Sequence, residues 1–231
     1  MEAILLADFE CSGLDATKDQ IVEVGAILWS VKHRCTIECF STLIPAAQNA
    51  AEVANGIPVG VLCNPNLPSS IKSALGRFDD LAEYADCIVA HHAEFDRGFY
   101  AAAPKHAEDR TQLAWVCTIE DFIWPKVTAS NGLVAKALAH GVGVLDAHRA
   151  LTDCQTIERC FRVIPDIDAR LEAALAHARL PKAEMISTAP FEQKDLVKEH
   201  GFHWDPGRKV WHRTMAIADA AKLPFRTREA R

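Results

Sequence analysis

The sequence predicts an α/β protein, a mixed sheet flanked by helices. Three observations carry this reading. Residues 3–10 form a continuous apolar run, the pattern of a central strand buried on both faces. Two further β-like runs, 21–30 and 35–44, follow across the polar link 31–34 and read as an antiparallel meander. Beyond residue 70, helical periodicity alternates with short apolar runs, which is the order of an α/β sheet.

Taken in order, Ser12-Gly13-Leu14-Asp15 reads as a turn after the first strand. The stretch 45–68 is rich in Pro, Gly and Asn and reads as loop. Ser69-Ser70 precedes a helix over 71–84, with Ile71, Ala74, Leu75, Phe78, Leu81 and Ala82 on one face. Residues 87–91 read as a short strand, 94–103 as a helix stopped at Pro104, and 115–119 as another short strand. Asn131 is placed to cap a helix through Ala139 that ends at Gly141. A helix over 149–163 closes at Pro165. The polar, Ala-rich stretch after it reads as a helical connector. The expected organisation is therefore one domain over 1–165, a connector over 166–183, and a small basic and aromatic module over 184–231.

Composition narrows the class. Apolar residues make up 49% and charged residues 24% of the 231, which is globular usage and excludes disordered, collagenous and coiled-coil chains. The net charge of −6 excludes a generic polybasic nucleic-acid binder. The charge is uneven, however. Residues 1–184 hold 16 Lys/Arg against 25 Asp/Glu, and residues 185–231 hold 9 against 6, so the two parts are expected to do different work. The eight cysteines lie mostly in apolar runs and form no C-x-x-C pair, so free thiols are expected rather than a disulfide framework or zinc ribbon. The longest charge-free stretch, 53–71, is broken by Pro58, Pro65 and Pro68 and is no membrane span. Residues 1–8 lack the basic start of a secretory leader. A reduced, cytoplasmic protein with no membrane partner is the expectation.

Chemistry concentrates in three short segments. Asp8-Phe9-Glu10 ends the first strand, and residues i and i+2 of a strand point to the same face. Two carboxylates aimed at one spot repel unless a cation lies between them, and hard oxygen ligands suit Mg²⁺ or Mn²⁺. Alone, such a pair is more often a solvated strand end. In the second segment, His91-His92-Ala93-Glu94-Phe95-Asp96, Asp96 falls in a first helical turn, where the helix dipole also favours an acid for purely structural reasons. In the third, His148-Arg149-Ala150-Leu151-Thr152-Asp153-Cys154, a spacing of five turns about 140° on a helix. His148 and Asp153 therefore cannot share one helical face. His148 is expected on the loop before the helix and Asp153 inside it.

In combination and in this order, the segments resemble a known family. Asp8-x-Glu10 with Ser12-Gly13-Leu14, then His91-x-Ala93-x-Phe95-Asp96, then His148-Arg149-Ala150-Leu151-x-Asp153-Cys154 are similar to the three exonuclease motifs of the DnaQ-like family, and the histidine to its DEDDh subgroup. The stretch from Trp115-Val116-Cys117-Thr118 through Trp124-Pro125 to Ser130-Asn131 resembles exonuclease X in particular. The resemblance covers about residues 3–165. Two departures from the family pattern are Cys11, where Thr is frequent, and His92, where Asn is frequent; neither position supplies a metal carboxylate.

The resemblance implies a ribonuclease-H-like fold and 3′→5′ hydrolysis of terminal phosphodiesters, releasing nucleoside monophosphates. It implies two divalent cations, Mg²⁺ or Mn²⁺, that clamp the scissile phosphate. Asp8, Glu10 and Asp153 would hold the first, Asp8 would bridge to the second, and Asp96 would support it. Four carboxylates balanced by two divalent cations would also let an acidic domain accept nucleic acid. His148 would be the general base, a role suited to imidazole, whose unperturbed pKa lies near operating pH. The positions expected at the terminal nucleotide are Cys11 through its backbone, Leu14, His92 and Phe95. For Leu14, a wedge against the last base and a buried turn leucine remain equal alternatives. DNA is the expected substrate, with RNA as the alternative. A homodimer and polymerase or repair partners are further expectations. Two rival functions are a catalytically idle nucleic-acid binder and a polymerase proofreading subunit.

Other candidate sites carry less. His91 and His92 are neighbours and would point apart on a strand. His200-x-x-His203 with His212 has no fourth ligand nearby in sequence. The tail reads as a helix over 192–200 ended by Gly201, then a strand, an Asp205-Pro206-Gly207 turn and a second strand. It resembles a small module attached to nucleic-acid enzymes. Its basic and Trp residues suit stacking on single strands, but Phe202, Trp204 and Trp211 read first as the core that so small a unit needs.

Overall fold

The computed structural model describes residues 1–104 and 112–230, so residue 231 of the expected tail module lies outside the described residues. The chain divides into two compact units, Met1–Ala178 and Arg179–Arg231.

The first unit is built on a five-stranded sheet. Its strands are β1 (Ala3–Cys11), β2 (Ile21–Ser30), β3 (Cys35–Leu43), β4 (Ile88–Ala90) and β5 (Trp115–Cys117), in the spatial order β3-β2-β1-β4-β5. The first three are an antiparallel meander, while β4 and β5 run parallel to β1. The mixed sheet follows from the connections, since short turns permit antiparallel neighbours and parallel ones need a crossover, here helical. The loop-rich stretch holds two single-turn helices, α1 (Glu52–Asn55) and α2 (Val59–Leu62). The remaining helices of this unit are α3 (Ile71–Ala82), α4 (Ala93–Ala102), α5 (Leu133–Ala139), α6 (Ala150–Val163) and α7 (Ile167–Ala178).

Alternation along β1 feeds two cores. Ile4 and Leu6 face Ile27, Trp29 and the α6 residues Ile157, Cys160 and Phe161. Ala3, Leu5, Ala7 and Phe9 face the α3 residues Leu75, Phe78 and Leu81. Ser70 caps α3 in a reciprocal pair with Ser73, as the serines of the sequence suggest. Helix α6 lies unusually close to the sheet. A Cβ built on Gly25 of β2 would fall 2.4 Å from the carbonyl carbon of Ala150 and 2.5 Å from the nitrogen of Leu151. Only glycine admits that approach.

Several elements differ from the sequence reading. The strands at 87–91 and 115–119 shrink to three residues each, because the chain turns directly into α4 after Ala90 and into a bend at Thr118. Helix α5 is preceded by Gly132 rather than capped by Asn131. The stretch read as a connector holds α7, whose Ile167, Leu171 and Ala174 are buried in the same core as α6, so it is part of the first unit's body. The cysteines are free, but only Cys11, Cys87, Cys117, Cys154 and Cys160 are buried; Cys35, Cys39 and Cys63 are exposed.

The second unit is a small antiparallel sheet with short helices packed on it. Strands β6 (Lys182–Ser187), β7 (His203–Asp205), β8 (Val210–Ala216) and β9 (Thr227–Glu229) lie in the order β7-β8-β6-β9. Helix α8 (Lys194–Glu199) is shorter than the sequence suggests, because residues 191–193 form a 3₁₀ turn before it. Gly201 follows at φ +77°, a left-handed turn that ends the helix. A one-turn helix α9 (Ile217–Ala220) follows β8. Phe202 is fully buried with Met185, Val197, Met215 and Phe225, and Trp211 packs against this core. Trp204, paired with Trp211 across the strands, is 47% exposed.

Replacing Gly25 by Ala is expected to destabilise the first unit by about 1–3 kcal/mol, since the helix backbone must move to admit the methyl group. A urea melt followed by tryptophan fluorescence checks this; a variant as stable as the wild type would show that α6 is free to shift.

Candidate active site

The site forms at the carboxyl end of β1. Even-numbered positions of this strand face α6, so Asp8 and Glu10 continue the row begun by Ile4 and Leu6. A bulge between Glu10 and Cys11 shifts the pairing with β2 and ends the regular ladder there. Helix α6 begins over the same strand end and carries Asp153 in its first turn. As a result Asp8, Glu10 and Asp153 each bring a carboxylate oxygen to within 4.8 Å of the others. All three are half-buried.

Asp96 comes from a second direction. It lies in the first turn of α4 and is almost fully buried. Its Oδ1 accepts a 2.9 Å hydrogen bond from the backbone N–H of Phe9, the residue between Asp8 and Glu10. This bond ties α4 to the strand end and holds a fourth carboxylate beside Asp8.

The electrostatics follow from the crowding. Burial, then Asp96, Asp153 and Glu10, push Asp8 well above the usual carboxylate range. Burial, with Asp153 and Glu23, raises Glu10 to about 7, and Arg149 works against that rise. Asp96 is raised chiefly by burial, opposed by the Phe9 N–H. Asp153 is raised by burial, opposed by the charge and the backbone N–H of His148. Each group is poorly solvated and close to like charge. A divalent cation relieves both penalties, and a donor set made only of carboxylate oxygens fits Mg²⁺ or Mn²⁺.

His148 precedes α6 on an exposed loop, in left-handed backbone at φ +64°. The five-residue spacing to Asp153 places it there, close enough to hold down the Asp153 carboxyl against burial. Cys11 is buried, its thiol directed toward the Phe9 carbonyl at 3.8 Å. The Cys11 carbonyl accepts from Asn55, a buried side chain that no pattern in the sequence singles out. Leu14 is 87% exposed, which removes the buried-turn alternative. It stands on a turn pinned by Asp19, whose carboxylate accepts from Ser12 Oγ and the Asp15 N–H. A Cβ at Gly13 would strike that carboxylate at 2.3 Å. His92 is exposed, with φ +88°, and its ring stacks on half-buried Phe95 at 6.1 Å between centroids. His91 turns away to hydrogen-bond Thr118 through Nδ1 at 2.7 Å.

The sequence reading assigned no role to Glu23 or Arg149. Glu23 lies opposite Glu10 in the β1/β2 register and is buried. It accepts both prongs of the Arg149 guanidinium, at 2.9 and 2.8 Å, and the backbone N–H of Ala150 at 3.1 Å. The available signal was a lone carboxylate inside the apolar run IVEVGAILWS, which must find a partner once that strand is buried.

Comparisons with known proteins agree with this geometry. The sequence profile of the family described as "Exonuclease" matches residues 5–161, and a domain of unknown function, DUF8626, matches residues 184–229. The chain is 25% identical over 173 residues to the PolC-type DNA polymerase III of Thermotoga petrophila, and likewise to that of Thermotoga maritima. The match covers 68% of this chain and 11% of each polymerase. Among solved structures, E. coli exonuclease I in complex with a dT13 oligonucleotide superposes with a TM-score of 0.57 at 16% identity, over 82% of this chain and 49% of that one. Its zinc-bound form in complex with single-stranded DNA gives 0.59 at 15% identity, over 83% and 49%. The chain thus spans about a tenth of these polymerases and about half of exonuclease I, and the likeness to exonuclease I shows the fold. A family match over most of the chain, on a sheet that gathers Asp8, Glu10, Asp96 and Asp153 at one edge, places this protein in the DnaQ-like exonuclease family, with a DUF8626 module at residues 184–229.

Proposed function

We propose that the protein is a metal-dependent 3′→5′ exonuclease of the DEDDh type, most like exonuclease X, which hydrolyses terminal phosphodiesters of DNA and releases nucleoside 5′-monophosphates. The observation that carries this reading is the convergence of Asp8, Glu10 and Asp153 to within 4.8 Å from a strand and a helix far apart in sequence. Two Mg²⁺ or Mn²⁺ ions, held by these three with Asp96 in support, would neutralise the phosphate and stabilise charge on the attacking and leaving oxygens. The protein's own groups do the rest. The carboxylates are preorganised by strand, helix and the Phe9 N–H, so little reorganisation is needed when substrate arrives. His148, exposed on its loop, takes the proton from the attacking water on a ring nitrogen. Leu14 offers an uncovered apolar side chain to wedge against the last base. His92 and Phe95 offer a stacked face beside α4 for the same nucleotide.

DNA is favoured over RNA by the partners named for similar proteins. Two of the similar exonuclease I structures hold a dT13 oligonucleotide and single-stranded DNA, and the similar polymerases are DNA polymerases. A second reading, a proofreading subunit acting beside a polymerase, rests on the similarity to PolC-type polymerases. In the C-terminal unit, Phe191 is 75% exposed with the Lys194 ammonium 4.6 Å above its ring, and Trp204 is also open. These groups suit stacking on single strands.

Digestion of 5′-labelled single-stranded DNA, duplex DNA and RNA with Mg²⁺, Mn²⁺ or EDTA tests the reaction. The expected result is a ladder shortening from the 3′ end, abolished by EDTA. Asp8→Ala is expected to lower turnover by about a thousandfold, as loss of ~4 kcal/mol of transition-state stabilisation implies. Mn²⁺ should raise the melting temperature of the wild type and not that of Asp8→Ala. His148→Ala should lower turnover by roughly 10²–10⁴-fold while leaving Mn²⁺ binding intact. Loss of Mn²⁺ binding as severe as in Asp8→Ala would refute the assignment of His148 as base. Truncation after Ala178 should leave cleavage intact and weaken binding of single-stranded DNA in a gel-shift assay. Unchanged affinity would rule out stacking by the C-terminal unit.

A further inference from the structure

Helix α6 carries Asp153 yet does not cap its own start. Arg149, at the N-cap position, makes no side-chain cap hydrogen bond. The first amide of the helix, that of Ala150, donates instead to Glu23 Oε2 on the neighbouring strand at 3.1 Å. The same oxygen accepts from Arg149 Nε at 2.9 Å. The other oxygen of Glu23 accepts from an Arg149 terminal nitrogen at 2.8 Å and from Ser41 Oγ at 3.0 Å. A strand carboxylate thus does what an N-cap side chain ordinarily does. Two residues further along β2, Gly25 lets the helix backbone press against the strand. Arg149 stands between the two α6-end groups of the site. His148 precedes it, and the Asp153 N–H donates to its carbonyl at 3.0 Å.

We propose that Glu23 and Arg149 are positioning residues of the exonuclease site. Their forked ion pair, with the Ala150 amide on the same carboxylate, fixes the first turn of α6. That turn sets Asp153 against Asp8 and Glu10 and anchors the end of the His148 loop. The guanidinium also balances Glu23, which lies directly across the register from Glu10 and would otherwise add another buried negative charge there. A planar fork is needed because it makes two parallel bonds that fix orientation, which a lysine ammonium cannot make. This inference rests on the metal-site reading above.

The test uses the full chain and measures Mn²⁺ affinity by titration calorimetry, alongside kcat and KM on a 5′-labelled oligonucleotide. The variants are Arg149→Gln, Arg149→Lys and Glu23→Gln, with Ile157→Val as a stability control on the same helix. Arg149→Gln and Glu23→Gln are expected to lower Mn²⁺ affinity and kcat by roughly 10–100-fold, with KM unchanged, as is usual when a group supporting a metal ligand is lost. Arg149→Lys should fall between these and the wild type. Ile157→Val should lose thermal stability but keep wild-type Mn²⁺ affinity and kcat. Wild-type affinity and kcat in the Arg149 and Glu23 variants would overturn the proposal, and so would equal losses in Ile157→Val. If Arg149→Gln does not fold, Arg149→Lys decides by the same criteria. A wild type that binds no Mn²⁺ would instead overturn the metal-site reading, and this inference with it.

Discussion

Like charges crowded at the end of a buried strand are the constraint on which this fold is organised. Asp8 and Glu10 share one face of β1, and Asp153 and Asp96 arrive from two helices. Burial above all, with repulsion from neighbouring carboxylates, raises the pKa of all four. The fold meets part of that cost itself. Asp96 and Asp153 both occupy first helical turns, where unpaired amides and the helix dipole favour negative charge. The backbone N–H of Phe9 donates to Asp96, and His148 lowers the pKa of Asp153 against its burial. The remaining repulsion is of the kind that a divalent cation between the carboxylates would relieve.

Helix α6 completes the cluster, and both of its ends are fastened to the meander. At its start stand Glu23 and Gly25 of β2. At its finish, Arg34 in the turn between β2 and β3 donates to the carbonyls of Arg162, Ile164 and Pro165. These carbonyls have no partners within the helix, so the contact satisfies them and stops rotation of α6 about its axis. In between, Ile157 and Phe161 pack on the sheet. A helix held at two ends and along one face has little freedom to carry Asp153 away from β1.

The central strand, the meander and α3 were legible because their signals are local: a continuous apolar run, alternation and a serine pair before an amphipathic face. The motif residues were legible because their order along the chain is distinctive. The loop position of His148 followed from helical rotation alone. What escaped depends on tertiary packing. Glu23 looks like an interruption in an apolar strand until Arg149 is folded against it. Strand β6 carries weak alternation and gains its identity from β8 and β9 on either side. Helix α7 looks polar because its fully buried residues are only Ile167, Leu171 and Ala174, with Leu175 and Ala178 partly covered. Leu14 has no local pattern that tells an exposed side chain from a buried one.

The fastening of α6 to the meander also sets a timetable for the newly made chain. Glu23 and Arg149 are separated by 126 residues, and Arg34 and Pro165 by 131. Such closures are slow, and they wait on synthesis of nearly the whole first unit. Until α6 has left the ribosome, Asp8, Glu10 and Asp96 stand without Asp153 or the His148 loop. A translation product cut short before α6 therefore carries Asp8, Glu10 and Asp96 on their own elements but lacks the assembled carboxylate cluster.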